Sequence, residues 1–294
     1  MRVAVVGAGL AGLGAAYFLI KKGYSVTIFD EMGVGAGASG IPIGLCHPYL
    51  GRSGKPSKFA SEAIATTIEL IDVAEKYSGK KLADRSGILR TDWSPLEWYP
   101  DLEKVEEGIL IKSGMTVHMS AYVNALYASF ENVELIKEKI SFEDDFSSFN
   151  KVVFACGEGM RSFHLPVNYV KGQVVIGVMK NKLEKTIMKA KGHLSPLGDG
   201  RVQLGSTYEH HFENSEPNLA VAIKELSLKL NAFFTDPKDF TIQNCFSGIR
   251  VCVNEGYLPI TKQLSEKVFL FTGLGSRGLL YHAYYGRHLA DMIG

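Results

Sequence analysis

The sequence predicts an α/β protein, α+β overall, with one domain built on a parallel central sheet and a smaller domain built on an antiparallel sheet. Three observations carry this. A strand–turn–helix–strand unit punctuated by glycines fills the first thirty residues. Short β-branched runs recur at Val133–Lys137, Lys151–Ala155 and Val268–Thr272, with helical stretches between them. After Lys171-Gly172-Gln173 the texture changes to closely spaced strands joined by a Gly198-Asp199-Gly200 turn, which suits an antiparallel sheet.

The opening unit is MRVAVVGAGLAGLGAAYFLIKKGYSVTIFD. Arg2 to Val6 reads as a buried parallel strand, Leu13 to Lys22 as a helix and Ser25 to Phe29 as a second strand. Gly7 permits a tight turn, Gly9 lets backbone approach a pyrophosphate, and Gly12 lets helix and strand pack closely. Leu10 and Ala11 lie between them at the helix N-terminus, whose N–H groups and dipole favour a phosphate. Asp30, followed by Glu31, stands where an acid would accept hydrogen bonds from a ribose diol. Strand, helix and acid together point to a dinucleotide.

Val3 to Ile20 carries no charge, which resembles a signal or a membrane helix. Four glycines within it would weaken any such helix. The nucleotide pattern accounts for all of them except Gly14, so no membrane span is expected. The net charge of +1 sets up no global field toward nucleic acid or anionic lipid. Cys46, Cys156, Cys245 and Cys252 form no C-x-x-C pair and no zinc spacing. They read as reduced, mostly buried thiols of a cytoplasmic protein, and no metal site is expected.

Along the chain, Gly33 to Gly44 is glycine-rich, as if something must come close, and Ile41, Ile43 and Leu45 argue for its burial. His47 follows as a low-ranking candidate for the active site. Ser57 to Tyr77 has helical spacing, and Gly87 to Leu89 suits a short strand. Trp93, Trp98 and Tyr99 are expected to pack on the core rather than line a cavity. Met115 to Phe130 reads as a helix, with a short extended stretch near Val117. Val174–Met179, Thr186–Ala190 and Arg201–Ser206 read as antiparallel strands, Leu219–Phe233 as an amphipathic helix, and Phe240–Val253 as a long strand carrying Arg250. A second G-x-G-x-x-G, Gly273 to Gly278, precedes the last helix. Too little chain follows it for a second nucleotide unit, so it is expected to aim a helix N-terminus at the cofactor held by the first motif.

The order GAGLAG, ASG, VVFACG, KGQ, GHLSPLGDGRVQLGSTYE, SGIR and TGLGSRG resembles the D-amino-acid oxidase and glycine oxidase superfamily of FAD-dependent oxidoreductases. Within it, ASGIPIGLCHPYL and LGSRGL are most similar to the oxidase domains of bifunctional tRNA wobble-uridine modification enzymes, which remove a carboxymethyl group from a carboxymethylaminomethyl uridine. The resemblance implies a discontinuous FAD-binding domain (1–50, 110–168 and 255–294) and a substrate domain (51–109 and 169–254). It implies that Gly7, Gly9, Gly12 and Asp30 hold the ADP half of FAD. Ser39 and Gly40 would lie near the pyrophosphate or ribityl chain, Ile140 would meet the adenine through its backbone, and Gly157 would flank the nucleotide. Gly275, Ser276, Arg277 and Gly278 would approach the flavin ring, and Arg250 would grip a substrate carboxylate.

A guanidinium fork fixes a carboxylate in a planar two-bond geometry, and so fixes the neighbouring carbon. The expected enzyme is an FAD-dependent oxidoreductase acting on an amino acid or N-substituted glycine, with oxygen or another acceptor downstream. Two alternatives stand beside it: a tRNA-modifying oxidase using Lys180, Lys182, Lys185, Lys189 and Lys191 as a phosphate-binding face, and a flavoprotein without amine oxidase activity. Tyr208, Tyr257 and Tyr281 are weaker pocket candidates.

Overall fold

The computed structural model describes residues 1–49, 54–254 and 257–294. The expected domain boundaries near 50 and 255 fall at the edges of these described residues. The chain opens with β1 (Arg2–Val6), α1 (Leu10–Lys21), β2 (Ser25–Phe29), β3 (Ile43–Cys46), α2 (Ala60–Ser78) and β4 (Ala83–Asp84). β5 (Ile88–Arg90), β6 (Leu102–Val105), β7 (Gly108–Ile111) and β8 (Met115–His118) lead into α3 (Met119–Ala128). Next come β9 (Glu134–Ile136), β10 (Lys151–Phe154), β11 (Val167–Met179), β12 (Ile187–Lys189), β13 (Gly192–Pro196) and β14 (Arg201–Gly205). The chain closes with α4 (Leu219–Phe233), β15 (Phe240–Val253), β16 (Ile260–Gln263), β17 (Val268–Thr272) and α5 (Gly278–Ile293).

A six-stranded sheet runs in the order β16-β17-β10-β1-β2-β9, parallel except for β16 at its edge. Both faces are covered, so its strands are apolar throughout. Val3 and Val5 face α1, α2, α3 and α5, while Ala4 and Val6 face a layer that includes Phe146, Phe149 and Phe163. An eight-stranded sheet runs β15-β11-β14-β13-β12-β5-β7-β6, and β3-β8-β4 form a small third sheet. α4 lies on the face of the eight-stranded sheet that carries Val175, Leu194, Val202 and Leu204.

The two faces of this sheet divide by register. β11 pairs with β15 so that Gly172 opposes Gly248 and Val170 opposes Arg250. Val174 opposes Gly205, which opposes His193. Gly172, His193, Gln203, Gly205, Gly248, Arg250 and Cys252 therefore share the face away from α4. That face looks onto the parallel-sheet half. A Cβ added at Gly248 would lie 2.7 Å from Ala38 Cα, Gln203 hydrogen bonds both backbone groups of Ile43, and Cys252 bridges to Leu274.

Several expectations need correction. The first helix begins at Leu10, three residues early, because Gly12 sits inside it against the turn. Met115 to His118 is a strand: Thr116 and Val117 are β-branched and pair with β3 and β4, and the helix begins only at Met119. The second sheet reaches beyond the strands that follow Lys171: β5, β6 and β7 extend it to eight, antiparallel except where β12 pairs with β5. Trp93 and Tyr99 pack against Tyr49 as expected, but Trp98 is 56% exposed. Among the described residues, no helix is long and apolar enough to cross a membrane.

Candidate active site

The first glycine turn is built by close approach. Gly7 has φ +111°, open to glycine and strained for other residues. A Cβ there would lie 2.5 Å from Ala155 O, and one at Gly12 would lie 1.8 Å from Gly7 O. Gly9 faces Ser39, whose Oγ accepts the Leu10 N–H at 3.0 Å. A Cβ at Gly40 would fall 2.2 Å from Gly35 O, which folds the 35–40 loop tightly over the turn. α1 has no side-chain cap and no acid in its first turn. With the Leu10 N–H taken by Ser39, the next N–H groups of the first turn and the dipole favour an anion.

Asp30 has a task that the motif did not reveal. Its carboxylate accepts the backbone N–H groups of Ala8 at 2.8 Å, Met32 at 3.0 Å and Gly33 at 2.8 Å. It lashes the first turn to the 31–36 loop, which uses three of about four lone-pair sites. Glu31 stands exposed beside it.

The second glycine motif meets the first. Residues Gly275–Arg277 form a single 3₁₀ turn and α5 starts at Gly278, whose added Cβ would lie 3.0 Å from Leu10 Cδ1. Further along, a Cβ at Gly286 would lie 2.5 Å from the carbonyl carbon of Gly14. α1 and α5 thus touch backbone to backbone, and this accounts for Gly14. Both helices present uncapped N-termini to the same region. α5 is held there by His282, whose Nδ1 donates to the carbonyls of Gly278 and Leu279 and whose Nε2 accepts from Tyr122 at 2.7 Å. Burial pushes the His282 pKa down to about 4.

Arg250 lies between the two glycine turns. Its strand neighbours on the same face, Gly248 and Cys252, touch Ala38 and Gly275 respectively. Its Nη2 donates to Ser206 Oγ at 2.8 Å and its Nη1 to Thr207 O at 3.3 Å, and the guanidinium stacks over the Tyr208 ring at 4.7 Å. Gly172 makes the room, since a Cβ there would collide with the guanidinium. No carboxylate forms an ion pair with Arg250 among the described residues. Glu209 favours the charged guanidinium without forming an ion pair with it, and a mostly enclosed cation in that position suits a carboxylate from a ligand. Beside it, His193 hydrogen bonds Gln203 at 3.0 Å. Burial, then the charges of Lys229 and Arg250, hold its pKa down to about 3.

These features fit a flavin dinucleotide. The N-termini of α1 and α5 suit its anionic parts, and Gly9 leaves the approach to the first turn bare but for Ser39. A family model described as FAD dependent oxidoreductase (DAO) matches residues 2–292. The chain belongs to this family. FAD is its cofactor. A curated relative from Maricaulis maris, named tRNA 5-methylaminomethyl-2-thiouridine biosynthesis bifunctional protein MnmC, is 26% identical over 99% of this chain and 52% of its own length. A relative of the same name from Leptospira interrogans is 22% identical over 99% of this chain and 57% of its own length. The chain thus spans about half the length of the curated relatives it matches.

Among solved structures, glycine oxidase from Geobacillus kaustophilus superposes with a TM-score of 0.81 at 22% identity, covering 99% of this chain and 94% of that one. Iminodiacetate oxidase from Chelativorans sp. BNC1 gives 0.77 at 18% identity, covering 99% and 95%. These two establish the fold of this FAD-dependent oxidoreductase.

The remaining candidates are scattered more widely. Gly157 opens the turn that follows β10, and Ile140 is partly buried against the cluster around Phe154. Ser276 is exposed in the second glycine turn. Arg277 donates to Tyr257 O at 3.2 Å and stacks on its ring at 4.9 Å, rather than simply reaching solvent. His47 is buried at the end of β3, with Arg90 as its charged neighbour, and burial followed by that charge lowers its pKa to about 4. Tyr281 is buried and donates to Lys58 O. Cys46 is buried, which raises its thiol to about 12 and suits an inert side chain. The residues that sequence reasoning missed are Gly172, His193, Gln203, Ser206 and Lys229. One signal was available for some of them: in RVQLG, Gln203 and Gly205 alternate with Val202 and Leu204, so one strand face is apolar and the other is not.

Proposed function

We propose that this FAD-dependent oxidoreductase oxidises the C–N bond of an amino acid or N-substituted glycine. The observation that carries it is Arg250, a mostly enclosed cation that forms no ion pair among the described residues, held on the strand face that touches both glycine turns. Arg250 holds the substrate carboxylate through its fork, and Ser206, Thr207 O and Tyr208 hold Arg250. The carbon between carboxylate and nitrogen is thereby fixed in position and orientation, an effect worth several orders of magnitude when the geometry is right. Bound FAD supplies the acceptor for the hydride that leaves this carbon. The imine left on the substrate is split by water into an amine and a carbonyl compound. His193, kept neutral, adds no second charge to compete for the carboxylate.

The test is flavin absorbance, followed anaerobically as glycine, sarcosine and D-amino acids are added separately. Bleaching by one of them supports the proposal, and Arg250→Met should raise the concentration needed by at least about 100-fold, or ~2.7 kcal/mol. A flavin band that no amine bleaches sinks it.

The names of the curated relatives favour a second reading, in which the oxidised glycine unit is carried on a tRNA wobble uridine. The lysine face offered for it is partly neutralised, since Lys180 pairs with Asp239 and Lys182 with Glu184. Bleaching by modified tRNA alone would select this reading.

A further inference from the structure

Lys229 belongs to α4, on the far side of the sheet from Arg250, yet its ammonium arrives beside the same residue. The stem passes the end of β13 where Gly192 has no side chain; a Cβ there would lie 2.9 Å from Lys229 Cδ. Its Nζ donates to Ser206 O, while Arg250 Nη2 donates to Ser206 Oγ. Two cationic heads therefore anchor on one residue, and both are close enough to His193 to act on its charge. Among the described residues Lys229 forms no ion pair; Glu225, one turn earlier on α4, favours its charge, while Arg250 and Lys191 oppose it. A half-enclosed ammonium that uses one of three donors has two left. Two like charges held together repel each other beyond what Glu209 and Glu225 offset, and an anion between them lowers that cost.

We propose that the substrate carries two anionic groups: an α-carboxylate on Arg250 and a second carboxylate, borne by the nitrogen substituent, on Lys229. The inference rests on the proposed amine oxidation and narrows its substrate class to N-carboxyalkyl amino acids. Lys229 acts here as a specificity-determining residue and takes no part in the bond changes.

The test uses the FAD-loaded protein and two thioethers that lack the oxidisable nitrogen: thiodiglycolate, a diacid, and methylthioacetate, a monoacid. Binding is read from the perturbation of the flavin spectrum, with no turnover required. Thiodiglycolate should bind at least tenfold tighter. Lys229→Gln should weaken the diacid at least tenfold more than the monoacid, and Lys229→Arg should restore most of the preference. With substrates, iminodiacetate should show a lower KM than sarcosine in the parent protein, and Lys229→Gln should narrow that gap. Equal binding of the two thioethers by the parent protein overturns the inference whatever the variants do. An equal loss for both in Lys229→Gln also overturns it, because a merely structural lysine gives that result. Failure of both acids to perturb the flavin, with no bleaching by any amine, strikes the parent proposal as well; a tie between acids that do bind strikes only this one.

Discussion

A side chain at residue 172 and the guanidinium of Arg250 occupy the same space: a Cβ built on Gly172 falls 2.2 Å from Arg250 Nη2. Gly172→Ala should push Arg250 off its anchors on Ser206 and Thr207. The dissociation constant of a carboxylate ligand should rise at least tenfold, or about 1.4 kcal/mol, with the folded state retained. Ligand titration of the flavin spectrum checks this, with thermal unfolding alongside. An unchanged dissociation constant would show that Arg250 does not need the gap.

The contact of Gly14 with Gly286 leads to a second expectation. Gly286→Ala places a methyl 2.5 Å from backbone, which no rotamer can relieve. Overpacking of this kind costs about 1–3 kcal/mol. The melting temperature should fall by several degrees, and flavin should be lost more readily on dilution, because both helix N-termini move. A variant that melts with the parent would mean that the helices separate freely.

Gln203 ties the two halves of the molecule. Its Oε1 accepts Ile43 N–H and its Nε2 donates to Ile43 O, each at 3.0 Å. Gln203→Leu leaves two buried backbone groups without partners, at about 1–3 kcal/mol each. Urea unfolding should show a loss of about 2 kcal/mol or more. A loss below about 0.5 kcal/mol would show that water replaces both bonds.

Stability should fall on mild acidification. His47 and His282 are buried, and burial is the main reason that their pKa values drop from 6.5 to about 4. The unfolded chain takes up these protons near pH 6.5, while the folded one resists until about pH 4. Their contribution is therefore complete above pH 6.5 and is lost as pH falls from 6.5 toward 4. Each is worth at most about 3 kcal/mol. Urea midpoints at pH 7.5, 6 and 5 should decline in order, and His47→Gln should flatten the decline. A flat profile in the parent protein would contradict the burial of neutral imidazoles.

The opening unit was legible because its partners are local. Gly7 meets Gly12 through a few residues of turn, and the apolar strands on either side have no other explanation. Gly14 stayed unexplained, since its partner Gly286 lies at the other end of the chain and leaves no local pattern. Gly172 was quoted only as part of KGQ, because its reason is a long side chain on a neighbouring strand. Arg250 was found through the resemblance around SGIR, not through spacing. Lys229 was hidden by its helix, where one lysine among polar residues looks like any solvated position until Gly192 shows what passes it. Asp30 was placed correctly at the end of β2, but a strand-end acid reads the same whether it meets a ribose or the three N–H groups that it holds here.

The meeting of α1 and α5 also sets a schedule. A ribosome releases the first glycine turn well before the helix that packs on it, by on the order of tens of seconds at about 5–20 residues per second. During that interval the nascent α1 has no backbone partner at Gly14, and the apolar flank that α5 will cover stays bare. The glycine pair acts as a latch between two distant stretches of chain, and it closes only once α5 has arrived.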